Sequence, residues 1–375
     1  MAILLSISFV SYFILTNYIV VGLRKFKPKK KTIDNKETYL TKFSVVIPCR
    51  NEAKRINLLL ESIENLKYDS TSYELIFIDD YSTDSTYRLI KAFQEKNDRL
   101  DIKLLKNNLS SGKKSALTFG IEKSTYDYII TTDADCYLPD EWLYGFHQHL
   151  KIKKSSMVIA PVVYRQPTNF LEQFQHDDFL SLQAITIATA MRRNPILCNG
   201  ANLCYKKKDF YSVKGFDQHK NIASGDDVLL MESFLQDNLE VDYIKINSLP
   251  VITQPVSSWN NLIQQRKRWV SKLGKTHNFI NYLLLFCLGS YVLGFWSLVL
   301  LGIFEIFYYQ VLLSLIIFKW IMDYLIFKAL AKKLNIMLCY RKIMVSSCFY
   351  PIWIVFLSLI LVNKSYLWKD KKFKL

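Results

Sequence analysis

Apolar residues follow two different patterns along this chain of 375 residues. Near both ends they form long runs, over residues 3–21, 282–330 and 343–362. A helix of about 20 apolar residues is long enough to cross the hydrocarbon core of a bilayer. The pattern therefore predicts one N-terminal membrane span and two to three C-terminal spans, two of them within residues 282–330.

Between these runs, short apolar segments alternate with segments whose apolar residues lie three and four positions apart. The first kind predicts strands and the second predicts helices. Predicted strands cover residues 43–47, 75–78 and 102–105 and a run at 126–130 whose strand ends at Asp133; predicted helices cover residues 53–66, 85–93 and 114–122. This alternation is typical of a doubly wound α/β fold with a mostly parallel sheet.

The basic residues indicate how the membrane segments are oriented. Most of the net charge of +16 lies in three clusters, at residues 24–31, 332–342 and 364–374, each beside an apolar run. This placement follows the positive-inside rule and the attraction of cations to anionic headgroups, so it argues against a nucleic-acid partner. It predicts a multi-pass protein of the inner (cytoplasmic) membrane of a bacterium, with the middle of the chain in the cytoplasm.

Two membrane segments leave alternatives open. The first run has the length of a cleaved signal, but no basic residue precedes it and a basic cluster follows it, so we expect an uncleaved anchor. A last crossing by residues 343–362 would put the lysine-rich tail outside the cell. Either that segment is re-entrant or interfacial, or the positive-inside rule fails here.

Several common chemistries lack their motifs in this chain. The seven cysteines include no Cys-x-x-Cys pair, which favours a reducing compartment without a zinc site or a disulfide framework. No histidine is near Cys49 or Cys136 in sequence, so neither is expected to be a catalytic thiol. No Gly-x-Gly-x-x-Gly of the dehydrogenase kind follows the first strand, and no Gly-Lys-Ser/Thr follows a glycine-rich loop as in kinases.

The candidate chemistry lies in polar and acidic loops that follow three predicted strands, at residues 48–52, 79–82 and 133–135. In a parallel sheet such loops gather outside the carboxyl ends of the strands, where ligands bind. Asp133 and Asp135, two positions apart, can converge on one divalent ion and on the diphosphate that it neutralises. The alternatives are a turn at this pair and a helix cap at Asp84.

Motifs in these loops occur in the order found in one enzyme family. The region from about residue 43 to residue 272 resembles a family 2 glycosyltransferase with the GT-A fold, a group that includes membrane-anchored glycolipid and polysaccharide synthases. Tyr81 stands where the family has glycine, and Asp226 stands where it has glutamate. The matching segments are residues 43–52, 77–84, 112–117, 133–135, 199–202, 215–217, 225–227 and 265–269.

This resemblance implies site residues by position. Asp227 would be the general base with Asp226 in a neighbouring role, and Asp135 would hold Mg²⁺ or Mn²⁺ with Asp133. The acceptor side would be formed by Asn199, Gly200, Ala201 and Asn202. The nucleotide sugar, with uridine as the expected base, would contact Pro48, Arg50, Glu52, Asp80, Lys113, Asp133, Arg268 and Trp269.

Two further segments have more than one interpretation. Residues 265–269 fit the Gln-x-x-Arg-Trp motif of processive synthases, and they also fit an interfacial helix with cationic and aromatic residues at the lipid boundary. His176, Asp177 and Asp178 lie in a helix-like run, where consecutive residues point about 100 degrees apart. We expect a solvated or acceptor-lining face there rather than a second metal site.

The sequence thus predicts a GT-A (Rossmann-like) cytoplasmic domain with transmembrane helices at both ends. The expected parts are an anchor (1–23), a basic linker (24–41), the GT-A domain (42–258), an interfacial segment (259–280), a C-terminal transmembrane region (281–363) and a basic tail (364–375).

Three functions fit these features. The first is metal-dependent, inverting transfer of a hexose or N-acetylhexosamine from a nucleotide sugar to a lipid or lipid-linked acceptor at the cytoplasmic membrane face. The alternative is a processive polysaccharide synthase, which the small number of spans disfavours. The third is a non-catalytic membrane scaffold that retains the fold, which the presence of Asp133, Asp135 and Asp227 disfavours.

Overall fold

The computed structural model describes residues 2–29, 39–219, 225–246, 250–273, 279–361, 365–368 and 371–374. Its contacts group into two units. The sheet unit comprises Lys27–Arg165 and Leu197–Gln254, and the helical unit comprises Met1–Phe26, Gln166–Ile196 and Pro255–Leu375. The hydrophobic pattern did not predict that residues 166–196 group with the apolar helices.

The sheet unit contains strands β1 (Phe43–Cys49), β2 (Tyr73–Asp79), β3 (Asp101–Lys106), β4 (Tyr128–Thr131), β5 (Met157–Ile159), β6 (Val162–Tyr164), β7 (Leu203–Lys206), β8 (Val241–Tyr243) and β9 (Val251–Thr253). Seven of them form one sheet in the order β3-β2-β1-β4-β7-β5-β8, while β6 pairs with β9. The first four are parallel, and β7 is antiparallel to both of its neighbours. The predicted α/β class and mostly parallel sheet are therefore confirmed.

Helices α2 (Ile56–Glu64), α3 (Thr86–Lys96), α4 (Lys113–Glu122), α5 (Trp142–Ile152), α7 (Lys207–Ser212) and α8 (Val228–Gln236) belong to the same unit. Strand β2 is buried along its whole length, as expected for a parallel strand covered on both faces. Helix α4 lies directly on the sheet, because a Cβ added at Gly120 would lie 2.6 Å from side-chain atoms of Val46 and Ile78. This packing positions Lys113, the first residue of α4.

The helical unit contains α1 (Ala2–Lys25), α6 (Phe170–Ala190), α9 (Trp259–Leu273), α10 (Phe279–Gly302), α11 (Phe307–Leu334) and α12 (Tyr340–Leu361), and the hairpin of β10 (Ser365–Trp368) and β11 (Lys371–Lys374). Helices α1, α10, α11 and α12 are long and apolar enough to cross a membrane. Apolar helices at both ends of the chain are thus confirmed. The third C-terminal segment is helical with Pro351 inside it, and its crossing of the membrane stays a prediction.

Small and polar residues bring α1 close to its neighbours. The Ser8 hydroxyl donates to the carbonyl oxygen of Ser290 at 2.7 Å, and a Cβ at Gly294 would overlap that hydroxyl. At the other end of α1, a Cβ at Gly22 would lie 2.6 Å from the Cα of Ala188 in α6. Small residues permit such close helix contacts in membranes, so α1 is packed as an integral part of the helical unit.

A buried ion pair joins three of the apolar helices. Lys319 of α11 contacts the Asp323 carboxylate one turn away, and its ammonium also donates to the Ser347 hydroxyl of α12 at 2.7 Å. Asp323 accepts from the Tyr12 hydroxyl of α1 at 2.6 Å and from Ser347 at 2.7 Å. Charged residues in apolar helices are costly unless they are paired and hydrogen-bonded, and both conditions hold here.

Breaking this pair from one side should therefore destabilise the helical unit. Lys319→Met leaves Asp323 charged among apolar helices and is expected to cost about 3–5 kcal/mol of unfolding free energy. The double variant Lys319→Met with Asp323→Asn keeps an acceptor for Tyr12 and should recover most of that loss. The stabilities of the single and the double variant can be compared by the heat-induced loss of monodisperse protein in detergent. A double variant as unstable as the single one would contradict this account.

A buried neutral histidine makes the sheet unit sensitive to acid. His149 of α5 is fully buried; its Nδ1 accepts the backbone N–H of Lys245 at 3.0 Å, and its Nε2 lies 3.2 Å from the Ser155 hydroxyl. Burial lowers the pKa of His149 to about 4, and the nearby Asp242 carboxylate opposes this only in part. The folded protein therefore holds this ring neutral at pH values where the unfolded chain protonates it.

Acid therefore lowers the stability of the folded protein. The contribution of His149 is fully present above the unfolded pKa of about 6.5 and is lost as pH falls towards 4, by about 3 kcal/mol at most. His149→Gln should flatten the dependence of unfolding free energy on pH between about 6.5 and 4. Denaturant titrations of both proteins at several pH values test this, and parallel curves would rule out the role given to His149.

Candidate active site

Three loops meet at the carboxyl edge of the parallel strands. Strands β1, β2 and β4 end at Cys49, Asp79 and Thr131, and the predicted acidic loops follow each of them. The backbone N–H of Asp80 donates to the carbonyl oxygen of Cys49 at 2.7 Å, which ties two of the loops together. The topology therefore places the predicted candidate residues of the sheet loops on one edge, where ligands bind in sheets of this type.

The first two loops are cross-linked by side chains. The Asn51 N–H donates to the Ser82 hydroxyl at 3.1 Å, and Asp84 accepts the N–H of Ala53 at 3.1 Å and that of Thr86 at 2.9 Å. The N-cap position of α3 is Ser85, so Asp84 is not the N-cap itself; from one residue earlier it accepts the first N–H of the helix. Asp84 also holds the loop that contains Glu52.

Tyr81 shows why its position suits a glycine. Its φ is 60°, in the left-handed region that side chains other than glycine enter at a cost of about 1–2 kcal/mol. The Tyr81 hydroxyl donates to the carbonyl oxygen of Leu109 at 2.8 Å, which helps to hold that conformation. The departure from the family's glycine therefore leaves the turn itself in place.

Asp80 is buried and holds the loop before α4. Its Oδ1 accepts the side-chain amide of Asn107 at 2.8 Å and the backbone N–H of Gly112 at 3.1 Å. Arg50 lies beside it, with Nη1 at 3.8 Å from Asp80 Oδ2 and at 2.5 Å from the Ser111 hydroxyl. These contacts fix the loop that leads into Lys113, and direct nucleotide contacts by Pro48, Arg50 and Asp80 stay predictions.

Lys113 bridges two acids that are far apart in the sequence. Its ammonium lies 2.8 Å from Asp133 Oδ1 and 2.8 Å from Asp226 Oδ2. Burial lowers the pKa of Lys113, but the Asp133 and Asp226 carboxylates outweigh burial and raise that pKa above its ordinary value. The lysine is therefore charged and joins the Asp133 loop to the segment that precedes α8.

The second acid of the pair has a different cation. Asp135 Oδ2 lies 3.3 Å from Arg55 Nη1, and Arg55 Nη2 lies 3.2 Å from Glu52 Oε2. Glu52 is buried, whereas Arg55 is exposed. No motif marks Arg55 in the sequence; its spacing of three residues from Glu52, which favours an ion pair, was the available signal.

Cys136 follows this pair and is chemically inert. Its thiol is fully buried, and burial raises its pKa well above the ordinary value, with further contributions from Asp135 and Asp133. A thiol that stays protonated is a poor nucleophile, which supports the expectation that Cys136 is not catalytic.

Gly200 lies inside the Lys113 cluster. A Cβ at Gly200 would be 3.0 Å from Asp226 Oδ2, 3.4 Å from Lys113 Nζ and 3.6 Å from the Cβ of Asp227. The Thr131 hydroxyl donates to the Gly200 carbonyl oxygen at 2.7 Å, which anchors this residue to the end of β4. One compact group is therefore formed by Gly200, Lys113, Asp226 and the Cβ of Asp227.

The other residues of the predicted acceptor segment are buried or hydrogen-bonded within the protein. Asn199 accepts the N–H of Ala201 at 2.9 Å, and Ala201 is buried. Asn202 accepts from the Trp142 indole at 2.8 Å and donates to the Pro161 carbonyl oxygen at 2.8 Å. These bonds account for the buried amide of Asn202, and an acceptor contact by these three residues stays a prediction.

Asp227 stands at the start of α8. Its Oδ1 accepts the backbone N–H of Val228 at 2.8 Å, and the preceding Gly225 has a φ of 88°. The carboxylate therefore caps the N-terminus of α8. Its role as general base stays a prediction.

Arg268 and Trp269 lie on α9, in the helical unit. The Trp269 ring has the Arg266 guanidinium over it at 4.1 Å and the Phe179 ring of α6 at 6.1 Å. Arg266 also pairs with Asp178 of α6 at 2.5 Å. The Gln-x-x-Arg-Trp helix is thus attached to α6, and the nucleotide contacts predicted for Arg268 and Trp269 remain predictions.

The expected solvated face at residues 176–178 is not observed. His176 and Asp177 are buried, with Asp177 Oδ1 accepting the Gln173 amide at 2.8 Å. Asp178 is occupied by its pair with Arg266. The expected solvent exposure was wrong because α6 packs against α1 and α12. This packing covers polar side chains that the sequence alone would place at a helix surface.

The Asp133–Asp135 pair fits a divalent ion that takes further ligands from a bound diphosphate. Among the described residues, no group of three or more His, Cys, Asp and Glu side chains could hold an ion alone. Mg²⁺ is typically held by one or two carboxylates together with substrate phosphates, and carboxylates also suit Mn²⁺. The two aspartates provide that number and kind of ligand.

The architecture and this acidic edge define the GT-A class of nucleotide-diphospho-sugar transferase folds. A family model described as glycosyl transferase family 2 matches residues 44–210, and one described as glycosyl transferase family group 2 matches residues 128–365. The second covers more than half of the chain. The chain belongs to the family 2 glycosyltransferases.

Known proteins with similar sequences cover part of the chain. Poly-beta-1,6-N-acetyl-D-glucosamine synthase of Staphylococcus aureus (strain COL) is 31% identical over 172 residues, which are 46% of this chain and 39% of that protein. Glycosyltransferase AglE of Haloferax volcanii is 26% identical over 185 residues, 49% of this chain and 58% of that protein. The chain thus spans between about two fifths and three fifths of the length of these relatives.

A solved structure extends the likeness over nearly the whole chain. The mannosyltransferase PcManGT from Pyrobaculum calidifontis, in complex with GDP-Man and Mn²⁺, is 16% identical with a TM-score of 0.56. The match covers 93% of this chain and 99% of that one. At this identity it shows the shared fold.

The position of Gly200 allows a direct test of the cluster. Gly200→Ala would place a methyl 3.0 Å from Asp226 Oδ2 and displace a carboxylate that Lys113 holds. We expect the turnover rate to fall about tenfold or more, since small displacements at an active site are costly, while the melting temperature changes little. Gly289→Ala is the control, because its Cβ would have no neighbour within 4 Å. Equal turnover of both variants would contradict the role of this cluster.

Proposed function

We propose that this protein is a membrane-bound inverting glycosyltransferase that moves a sugar from a nucleotide sugar, expected to be a UDP-sugar, to a lipid or lipid-linked acceptor at the cytoplasmic membrane face. The observation that carries the proposal is the Lys113 bridge, which brings Asp133 and Asp226 together at the carboxyl edge of the sheet. Four apolar helices support a lipid acceptor, because its tail can stay in the bilayer during the reaction.

In this proposal Asp227 is the general base. Inversion requires the acceptor hydroxyl to attack the anomeric carbon from the face opposite the leaving diphosphate. A carboxylate within hydrogen-bond reach takes the hydroxyl proton as the new bond forms. Asp227, whose Cβ lies near Gly200, supplies this carboxylate, and Asp226 keeps Lys113 in place.

Lys113 stabilises the departing nucleoside diphosphate. Its charged ammonium, held by two carboxylates, is already oriented before negative charge develops on the leaving group. Preorganised charge of this kind lowers the barrier without a cost of reorientation. We propose that Arg268 shares this charge and that Trp269 contacts the donor.

Asp133 and Asp135 would hold a Mg²⁺ or Mn²⁺ ion. When bound, the ion would supply Lewis-acid stabilisation of the diphosphate. The Mn²⁺ found with GDP-Man in PcManGT supports this assignment. Arg50, Glu52 and Asp80 shape the loops in which we place the nucleotide.

The first donor to test is UDP-N-acetylglucosamine. The similarity to a poly-N-acetylglucosamine synthase supports an N-acetylhexosamine as the transferred sugar. Incubating the purified protein with a panel of nucleotide sugars and a membrane lipid extract, followed by mass spectrometry, should reveal a lipid heavier by one sugar. A panel without any glycosylated product would count against the proposal.

A processive polysaccharide synthase is the second candidate. The relative that is 31% identical carries the name of such an enzyme, and residues 265–269 fit the Gln-x-x-Arg-Trp motif. Four candidate spans in the described residues would provide only a small bundle around a growing polymer. Product length decides between the two: one added sugar supports single transfer, and a ladder of lengths supports polymerisation.

The proposed role of Asp227 as general base can be tested by substitution. Asp227→Asn keeps the size of the side chain but cannot accept the proton, so we expect turnover to fall about 10²- to 10⁴-fold with UDP affinity retained. Nucleotide release and calorimetric UDP binding measure the two quantities. Asp237→Asn, at the exposed far end of α8, is the matched control. Full activity in Asp227→Asn would refute this role of Asp227. A wild-type protein without turnover would instead favour the non-catalytic scaffold.

A further inference from the structure

Each acid of the Asp133–Asp135 pair contacts a cation from the start of a different helix. Asp133 contacts Lys113 at the start of α4, and Asp135 contacts Arg55 just before α2. A divalent ion at this pair must share or replace these contacts. The two cations therefore influence how strongly the pair binds a metal.

The two contacts differ in how easily they can be exchanged. The Lys113 side chain is 19% exposed and lies between two carboxylates, so its removal would leave Asp226, which is 10% exposed, without this cation. The Arg55 side chain is 46% exposed and that of Asp135 is 21% exposed, so their ion pair at 3.3 Å is of the surface kind, whereas Glu52 on the other side of Arg55 is 10% exposed. Surface pairs are worth about 0.2–1 kcal/mol, which a divalent ion can readily overcome.

Arg55 also links the metal acid to the nucleotide loop. Its guanidinium contacts Asp135 with one nitrogen and Glu52 with the other. A guanidinium presents a fork of donors that suits a diphosphate as well as carboxylates. A bound nucleoside diphosphate would therefore offer Arg55 a new anionic partner and release Asp135.

We propose that Arg55 couples metal binding to nucleotide binding: it pairs with Asp135 before the donor binds and moves to the diphosphate when the donor enters. The inference depends on the proposed function, in which Asp135 is a metal ligand. Coupling of this kind is reciprocal, so the nucleotide strengthens metal binding by the same factor by which the metal strengthens nucleotide binding. Arg55 thereby disfavours a metal ion bound without its substrate.

The test is a titration of the purified full-length protein in detergent with Mn²⁺, followed by the loss of the free Mn²⁺ electron paramagnetic resonance signal, with and without UDP. Arg55→Gln should bind Mn²⁺ about two- to fivefold more tightly than wild type without UDP, the range that a surface ion pair allows. The enhancement produced by UDP should shrink in Arg55→Gln. Arg55→Lys should lie between the two.

Lys54→Gln is the matched control for charge. Lys54 is exposed, adjacent in sequence, and forms no ion pair in the described part of the chain. A general electrostatic effect would change Mn²⁺ binding equally in both Gln variants. Equal affinities, or an undiminished UDP enhancement in Arg55→Gln, would overturn the inference.

Asp135→Asn separates this inference from the function on which it depends. If Asp135→Asn binds Mn²⁺ as wild type does, the metal role of Asp135 is wrong and both proposals lose their basis. If Asp135→Asn binds Mn²⁺ weakly while Arg55→Gln matches Lys54→Gln, only the role of Arg55 fails. Circular dichroism of each variant ensures that a loss of binding is not a loss of folding.

Discussion

The site depends on one ammonium group placed between two carboxylates. Asp133 and Asp226 follow different elements of the fold, and like charges repel when they are brought together with little water between them. Lys113 offsets that repulsion at 2.8 Å from each acid and remains charged although burial works against it. Because α4 is packed directly on the sheet at Gly120, the position of this cation is set by the core of the fold.

The same kind of bond has different consequences in different surroundings. In the helical unit, Lys319 and Asp323 are buried among apolar helices and have further partners on α1 and α12, so their pair is part of the packing. At the edge of the sheet, Arg55 is exposed and its pair with Asp135 is weak enough to be replaced. Solvent access thus separates a structural ion pair from an exchangeable one, since water competes only for the second.

Two departures from the family pattern are accommodated locally. Tyr81 adopts the left-handed backbone conformation that suits the usual glycine, with its hydroxyl bonded to Leu109. Asp226 has a shorter side chain than the usual glutamate, yet it reaches Lys113. Neither change disrupts the edge of the sheet, because Tyr81 is supported by a contact with a loop residue and Asp226 by a contact with the first residue of α4.

The first four strands with the three helices between them, the apolar helices and the family could be predicted from the sequence itself, whereas strands β5 to β9 were not predicted. These features follow from local periodicity and from short motifs, which do not need the rest of the fold to be recognised. Contacts between distant segments were decided only by the tertiary structure. The bridge from Asp133 through Lys113 to Asp226, the pairing of Arg55 with Asp135 and the burial of His176 and Asp177 all depend on which loops and helices pack together. Charge and periodicity are properties of single residues and short segments, whereas the partner of a charged side chain depends on how the folded chain packs.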